Sequence, residues 1–396
     1  MEAHVSDTRG AAGARPLPER PSLTTPRRLL SREFLAAERE RLARQPGLGL
    51  AGFLLVLPVA VVLAYAIGGP EDSLLVLAPL STFALPAVAM IGFWWNDWPG
   101  SELRAPLAGL LDTLLVIVAA VLLTMLGQLV VGGIDLRGIF DPSPGPGHVP
   151  TFPATMPLAA ATFVAMLQLT LVSEGWPLRR FSRIPSGLAA LALAWAVALV
   201  AYLLLIESSP PPGEGLHERT GPVAGPSFGA WLVMLGVWQT AFFVVLHGWP
   251  FAEISRRWLR LLAGNAVTIA AGWLSYLALR HLVGLELVTI SAIGGATIAA
   301  ALLVGMLFEG WPATKLSPLP GRLLKFAGIA VLAAVVYGLL KALADGVDWS
   351  VGEPEDWVAY VGLNGVGAGV ILHVAIGRRW PFGHEREANA GEGMTR

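Results

Sequence analysis

Ionisable and amide side chains inside the apolar runs of this chain are few, and any chemistry has to begin with them. Asp112 stands about two turns into such a run, in Leu110-Leu111-Asp112-Thr113-Leu114. Aspartate at the centre of a membrane helix costs roughly 2.5 to 3.5 kcal/mol on insertion scales and somewhat less at this depth, so Asp112 should face the protein interior or a wet cavity. Asn265, at a nearly matching place in a later run, and Lys325, early in another, are its expected partners. An Asp112 to Lys325 pair would be either a proton or ion relay or a buried structural pair. Gln168, Gln239 and Asn364 extend the set, as polar lining or as interhelical hydrogen bonds.

A second group is defined by register. The phrase Trp-Pro closes apolar runs at Trp98-Pro99, Trp176-Pro177, Trp249-Pro250, Trp311-Pro312 and Trp380-Pro381. Two places before each tryptophan stand Asn96, Glu174, His247, Glu309 and Arg378, with Asp97 adding a carboxylate in the first copy. Gathered at one level, these groups would form a mouth able to select or gate a charged solute; dispersed, they would only solvate helix ends in the headgroup region. The two carboxylates and the histidine, with His373 and His384, have the chemistry of a divalent-metal site, but no tight ligand spacing such as HExxH accompanies them and no metal is assigned. No cofactor is assigned either. There is no cysteine, which removes thiolate ligands, cysteine nucleophiles and disulfides. No phosphate loop, dinucleotide fingerprint or nucleophile elbow is present, and no basic cluster points to nucleic acid.

The elements that must position these groups are membrane helices. The 396-residue chain is 55% hydrophobic and 14% charged, with a net charge of −1 and mean hydropathy of +0.63. Soluble domains come nearer a quarter charged. The expected fold is all-α: a polytopic bundle of about ten transmembrane helices. Their limits are near Gly49–Gly68, Leu74–Trp95, Pro106–Val131, Met156–Ser173, Gly187–Ile206, Phe228–His247, Leu261–His281, Leu287–Phe308, Arg322–Ala344 and Asp356–Gly377. Residues 1–46 read as a cytoplasmic tail with an amphipathic helix over 26–44, residues 47–377 as the membrane domain and 378–396 as a second cytoplasmic tail. The N-terminal stretch lacks the pattern of a cleaved signal.

The Trp-Pro copies lie roughly 60 to 80 residues apart, a spacing suited to a two-helix hairpin. Four hairpins open on a second shared phrase, Ala51-Gly52, Ala108-Gly109, Ala263-Gly264 and Ala327-Gly328, and the remaining one on Ser186-Gly187. Five sequential hairpins in one orientation follow, with a ring or arc as their natural arrangement. Trp98, Trp176, Trp249, Trp311 and Trp380 would anchor at the headgroup level, proline would turn the chain, and the small pair would let a neighbouring backbone approach. Arginine and lysine concentrate in the Trp-Pro loops, which puts those loops and both termini in the cytoplasm. The opposite segments 135–151 and 207–227 are rich in Pro, Gly and acid, and their stretches around Pro142–Pro150 and Pro210–Pro226 read as irregular external lids or linkers.

Composition suggests a bacterial cell membrane. The expected function is transport or permeation of a small solute or ion, with Asp112, Glu174, His247, Glu309, Asn265 and Lys325 as solute or proton contacts. The alternatives are a membrane enzyme acting on a lipid or isoprenoid, or a non-catalytic subunit. The expected partners are the bilayer, a small solute or ion, and a membrane or ATPase subunit, and not nucleic acid.

Overall fold

The computed structural model describes residues 32–210 and 215–382. Helix α1 (Arg32–Ala43) leads into α2 (Gly47–Tyr65), α3 (Pro70–Trp94), α4 (Ala105–Val131), the short α5 (Leu136–Phe140), α6 (Met156–Val172) and α7 (Arg183–Leu205). Strands β1 (Ile206–Ser208), β2 (Arg219–Thr220) and β3 (Val223–Ala224) precede α8 (Gly225–Val245), α9 (Arg257–Val283), α10 (Leu287–Leu307), α11 (Pro318–Ala344) and α12 (Pro354–Ile376). Among the described residues, nine helices are long and apolar enough to cross a membrane. The tenth expected span, α6, is shorter. It reaches only about 26 Å, against about 30 Å of hydrocarbon, and protein surrounds it where lipid would otherwise have to be matched.

The spans sort into two layers. In α3, 78% of the most apolar stretch is buried; in α11 the figure is 11%. The buried spans α3, α6, α8, α10 and α12 touch in that order, and α12 returns to α3, closing a circle. The remaining spans lie outside it. Each rests on the inner span that precedes it in the chain: α4 on α3, α7 on α6, α9 on α8 and α11 on α10, while α2 rests on α12 and completes the arrangement.

Sequence accounts for the division. Outer spans bury one narrow stripe of residues four apart, as in Gly52, Val56, Ala60 and Ala64 of α2, or Ala190, Ala194, Ala198 and Tyr202 of α7. Such an i, i+4 ridge of small residues lets another helix pack closely. Leucine and valine cover the rest of these helices and stay exposed, as Leu110, Leu114, Val118 and Leu122 do on α4. That exposure suits lipid, which is as apolar as the side chains themselves.

Two of the segments between spans carry local structure of their own. The Asp135 carboxylate accepts the amides of Arg137 and Val149 and contacts His148 Nδ1 at 2.8 Å, which folds 135–149 into a compact loop. The segment after α7 forms a small sheet of order β2-β1-β3, with β1 antiparallel to β2 and parallel to β3. Helix α1 matches the later part of the expected 26–44 helix; the earlier part lies outside the described residues.

Candidate functional site

All five Trp-Pro segments share one backbone course. The inner helix ends in a π-helical turn, the next residues enter the left-handed region, and the Trp-Pro peptide is cis. The residue two places before tryptophan has φ between 49° and 53° in every copy: Asn96, Glu174, His247, Glu309 and Arg378. Non-glycine residues adopt that conformation at a cost, asparagine least. The amide of the following residue closes the turn onto the helix, from Asp97 to Ile91 O, Gly175 to Leu169 O, Gly248 to Phe242 O, Gly310 to Val304 O and Arg379 to His373 O.

These turns carry ion pairs that join helices distant in the sequence. Glu174 accepts from Arg260 Nε at 2.6 Å and Nη2 at 3.2 Å, with Arg257 Nε at 3.5 Å. Glu309 accepts from Arg379 Nη2 at 2.7 Å and Arg41 Nε at 3.1 Å. Arg378 reaches the buried Asp97 at 3.3 Å. Arg379, only 5% exposed, also donates to the carbonyls of Leu307 and Met306. His247 is exposed on the rim. Helix α1 belongs to the same assembly, because Arg41 joins the Glu309 pair and Arg44 donates to Phe382 O.

Asp112 and Lys325 do not meet. The buried Asp112 carboxylate accepts the Gly100 amide at 3.0 Å, and its other oxygen has no hydrogen-bond partner. Lys325 donates to Val245 O at 3.0 Å. Asn265 is bound into a chain of amides between hairpins: Gln239 donates to Gln168 Oε1, Gln168 to Asn265 Oδ1, and Asn265 to Leu261 O. Asn364 donates to Ser81 and Thr82 across the seam between α12 and α3. These amides connect helices. Of the two additional histidines, His373 packs its ring over Gly52, and His384 lies outside the described residues. No three His, Cys, Asp or Glu side chains gather among the described residues.

The axis of the inner circle holds a different kind of site. All five buried spans line a cavity of about 60 Å³, contributing among others Leu85, Leu167, Val244, Leu302 and Ile371. Its two threonines, Thr82 and Thr240, turn their hydroxyls back to the carbonyls of Ala78 and Gly236. A water here would find almost nothing to bond to, so the cavity is of the dry, apolar kind. None of Asp112, Glu174, His247, Asn265, Glu309 or Lys325 lines it. Sequence reasoning passed over the lining residues, because leucine and isoleucine on an axis look the same in a sequence as leucine and isoleucine in any core.

The glycine of the shared small pair has unequal work. At Gly52 and Gly187 a Cβ would collide with the His373 and Trp95 rings; at Gly109 and Gly264 it would make ordinary contact, and at Gly328 it would enter open space.

Helices of this length and apolarity, in two layers, define a multi-pass membrane protein. Compared with known proteins, the chain matches no family model, no curated protein and no solved structure.

Proposed function

We propose that this chain is a permeation or transport protein of a bacterial cell membrane, built from five consecutive copies of one helical hairpin, with its path along the axis of the inner circle. The observation that carries the reading is the dry axial cavity to which every buried span contributes a wall. An apolar waist of this kind closes a path by excluding water, and it opens when the surrounding helices separate or the waist becomes polar. The common course of the five Trp-Pro segments supports the repeat. Their basic residues favour a cytoplasmic location for that end and for both termini.

In this reading Glu174, His247 and Glu309 form a charged rim around the cytoplasmic mouth and bias which solutes approach it, while Asp112 and Asn265 hold the rim's loops and helices in register. Tryptophans 98, 176, 249, 311 and 380 keep the rim at the headgroup level. The lipid-enzyme alternative is weaker, because Glu174 and Glu309 are both occupied by arginine and offer no free acid–base pair.

The waist tests the proposal. Proteoliposomes carrying Leu167→Ser together with Leu302→Ser should leak small ions or neutral solutes faster than wild type, and Glu309→Gln should alter the cation-to-anion ratio of that leak. Folded waist variants as tight as wild type toward ions, water and small solutes would overturn it. If such inert protein copurified with an ATPase or another membrane subunit, the accessory-subunit reading would take its place.

A further inference from the structure

A second cavity lies off the axis, beside the outer span α11. It is a cavity of about 490 Å³ between α8, α10 and α11. One wall is a continuous face of α11, from Phe326 through Ile329, Ala330, Ala333 and Ala334 to Tyr337. Ala241 and Ala301 form the floor with Thr297 and Trp238. Two of the polar groups here are already bonded, Thr297 Oγ1 to Ile293 O and Trp238 Nε1 to Ser275 Oγ, and the Tyr337 hydroxyl stands at the end far from the Trp-Pro turns. Small residues leave the space, and its walls are mostly apolar. The rise along α11 from Phe326 to Tyr337 is about 16 Å, close to half of the roughly 30 Å hydrocarbon thickness. That is the depth of one leaflet.

The end of the groove nearer the Trp-Pro turns is charged. Lys325 immediately precedes Phe326, and Arg322 stands about one turn below it on the same helix. Lys325 is half-buried, its amine bonded to Val245 O, and no carboxylate forms an ion pair with it among the described residues. Arg322 lies 4.1 Å over the Trp249 ring, and among the described residues its one carboxylate contact is Glu253 at 3.9 Å, a side chain 70% exposed. Two poorly compensated cations beside an indole at the headgroup level, opening onto an apolar groove one leaflet long, match the charge and shape of one molecule class. An anionic phospholipid presents a phosphate to the cations and an acyl chain to the groove.

We infer that this groove is a specific site for one anionic phospholipid, with its phosphate on Lys325 and Arg322 and an acyl chain between α8, α10 and α11. The site does not depend on the axial path. Because α11 is otherwise the least buried span, a chain in the groove would fasten it to α10 and α8.

Native mass spectrometry of the full chain, released from nanodiscs of equal phosphatidylglycerol and phosphatidylcholine, tests the site. Wild type should retain one phosphatidylglycerol in preference to phosphatidylcholine. The double variant Lys325→Gln, Arg322→Gln should lose that preference by about tenfold or more, the loss expected for two basic residues at an anionic surface. Ala330→Phe, which fills the groove, should lower retention of both lipids. A second readout covers variants that fold poorly: phosphatidylglycerol with brominated acyl chains should quench tryptophan emission of wild type more than the brominated phosphatidylcholine does, and Trp238→Phe should remove the excess. Equal retention of the two lipids by wild type, an unchanged preference in the double variant, or no excess quenching at Trp238 each overturns the inference. So would a dimer carrying no lipid, with the helix of a second copy in the groove.

Discussion

Asp112 and Lys325 each stand on the four-residue stripe of an outer helix, in line with small residues, yet they serve different surroundings. Asp112 follows Ala108 and precedes Val116 at four-residue spacing, which directs its carboxylate inward onto the loop it came from. There it holds the Gly100 amide. Asp112→Asn keeps an acceptor in place and is expected to stay within about 1 kcal/mol of wild type in thermal unfolding. Asp112→Leu orphans a buried amide and should cost about 1–3 kcal/mol. A relay would show the opposite order of sensitivity in flux, with Asn as damaging as Leu. Asp135, outside the spans, is a residue whose protonation matters. Burial pushes its carboxyl up, but the hydrogen bonds from Val149, His148 and Gly138 outweigh that and hold it below the usual aspartate range. A lowered folded-state value means that the stabilisation is present above the ordinary carboxylate pKa of about 4 and is lost as pH falls through the lowered one. Protection of the 135–149 amides, relative to their intrinsic exchange rates, should therefore fall in acid, below about pH 4, and Asp135→Asn should flatten that dependence.

At the scale of the element, the repeated turn explains why one position varies while its neighbours do not. The residue two before tryptophan needs a left-handed backbone but makes no common side-chain contact, so asparagine, glutamate, histidine and arginine can all stand there. Glycine would relieve the backbone penalty, about 1–2 kcal/mol per residue in this region. His247→Gly, on the exposed rim, is expected to raise the unfolding midpoint. Glu309→Gln should lower it, by about 1–3 kcal/mol, because Arg379 loses the carboxylate that balances its buried charge. Two carbonyls still accept from Arg379, which keeps the loss below that of a fully isolated ion. Loss of the Arg41 contact should also free α1, visible as faster proteolysis near Arg41 in Glu309→Gln.

For the whole molecule, the decisive contacts are those between the first and last hairpins. Glu71 accepts the amides of Ser350, Val351 and Gly352 and the Ser350 hydroxyl. Below it, Trp357 donates to Ala64 O and Tyr360 to Leu63 O. At the other end Arg378 meets Asp97. Contacts separated by nearly 300 residues close the circle of inner spans, so the axial cavity depends on all of them at once. Glu71→Ala should accelerate hydrogen exchange at 350–352 by about tenfold or more, the equivalent of losing hydrogen bonds to a charged group. If the proposed axial path is right, the same variant should loosen the waist and raise the leak through it.

Much of this architecture was legible in the amino-acid order. Apolar runs of membrane length, basic loops and the recurring Trp-Pro phrase located the helices and the turns, because these signals are local: a span needs about twenty apolar residues wherever its neighbours lie. The limits of α3, α4 and α10 fell within a few residues of those expected. Which spans are inner and which outer was weakly written, in the four-residue stripes of small residues. Which charges meet was not written at all. Nothing near Glu174 in sequence names Arg260, and nothing near Glu309 names Arg379 or Arg41; those partners come from how the hairpins stack. The sequence by itself therefore determined a membrane bundle with matched turns at one face. Only the tertiary structure decided that the polar groups at those turns bind one another, and that the axis they surround is dry, since packing between distant helices is a property of surfaces brought together and not of the order along the chain.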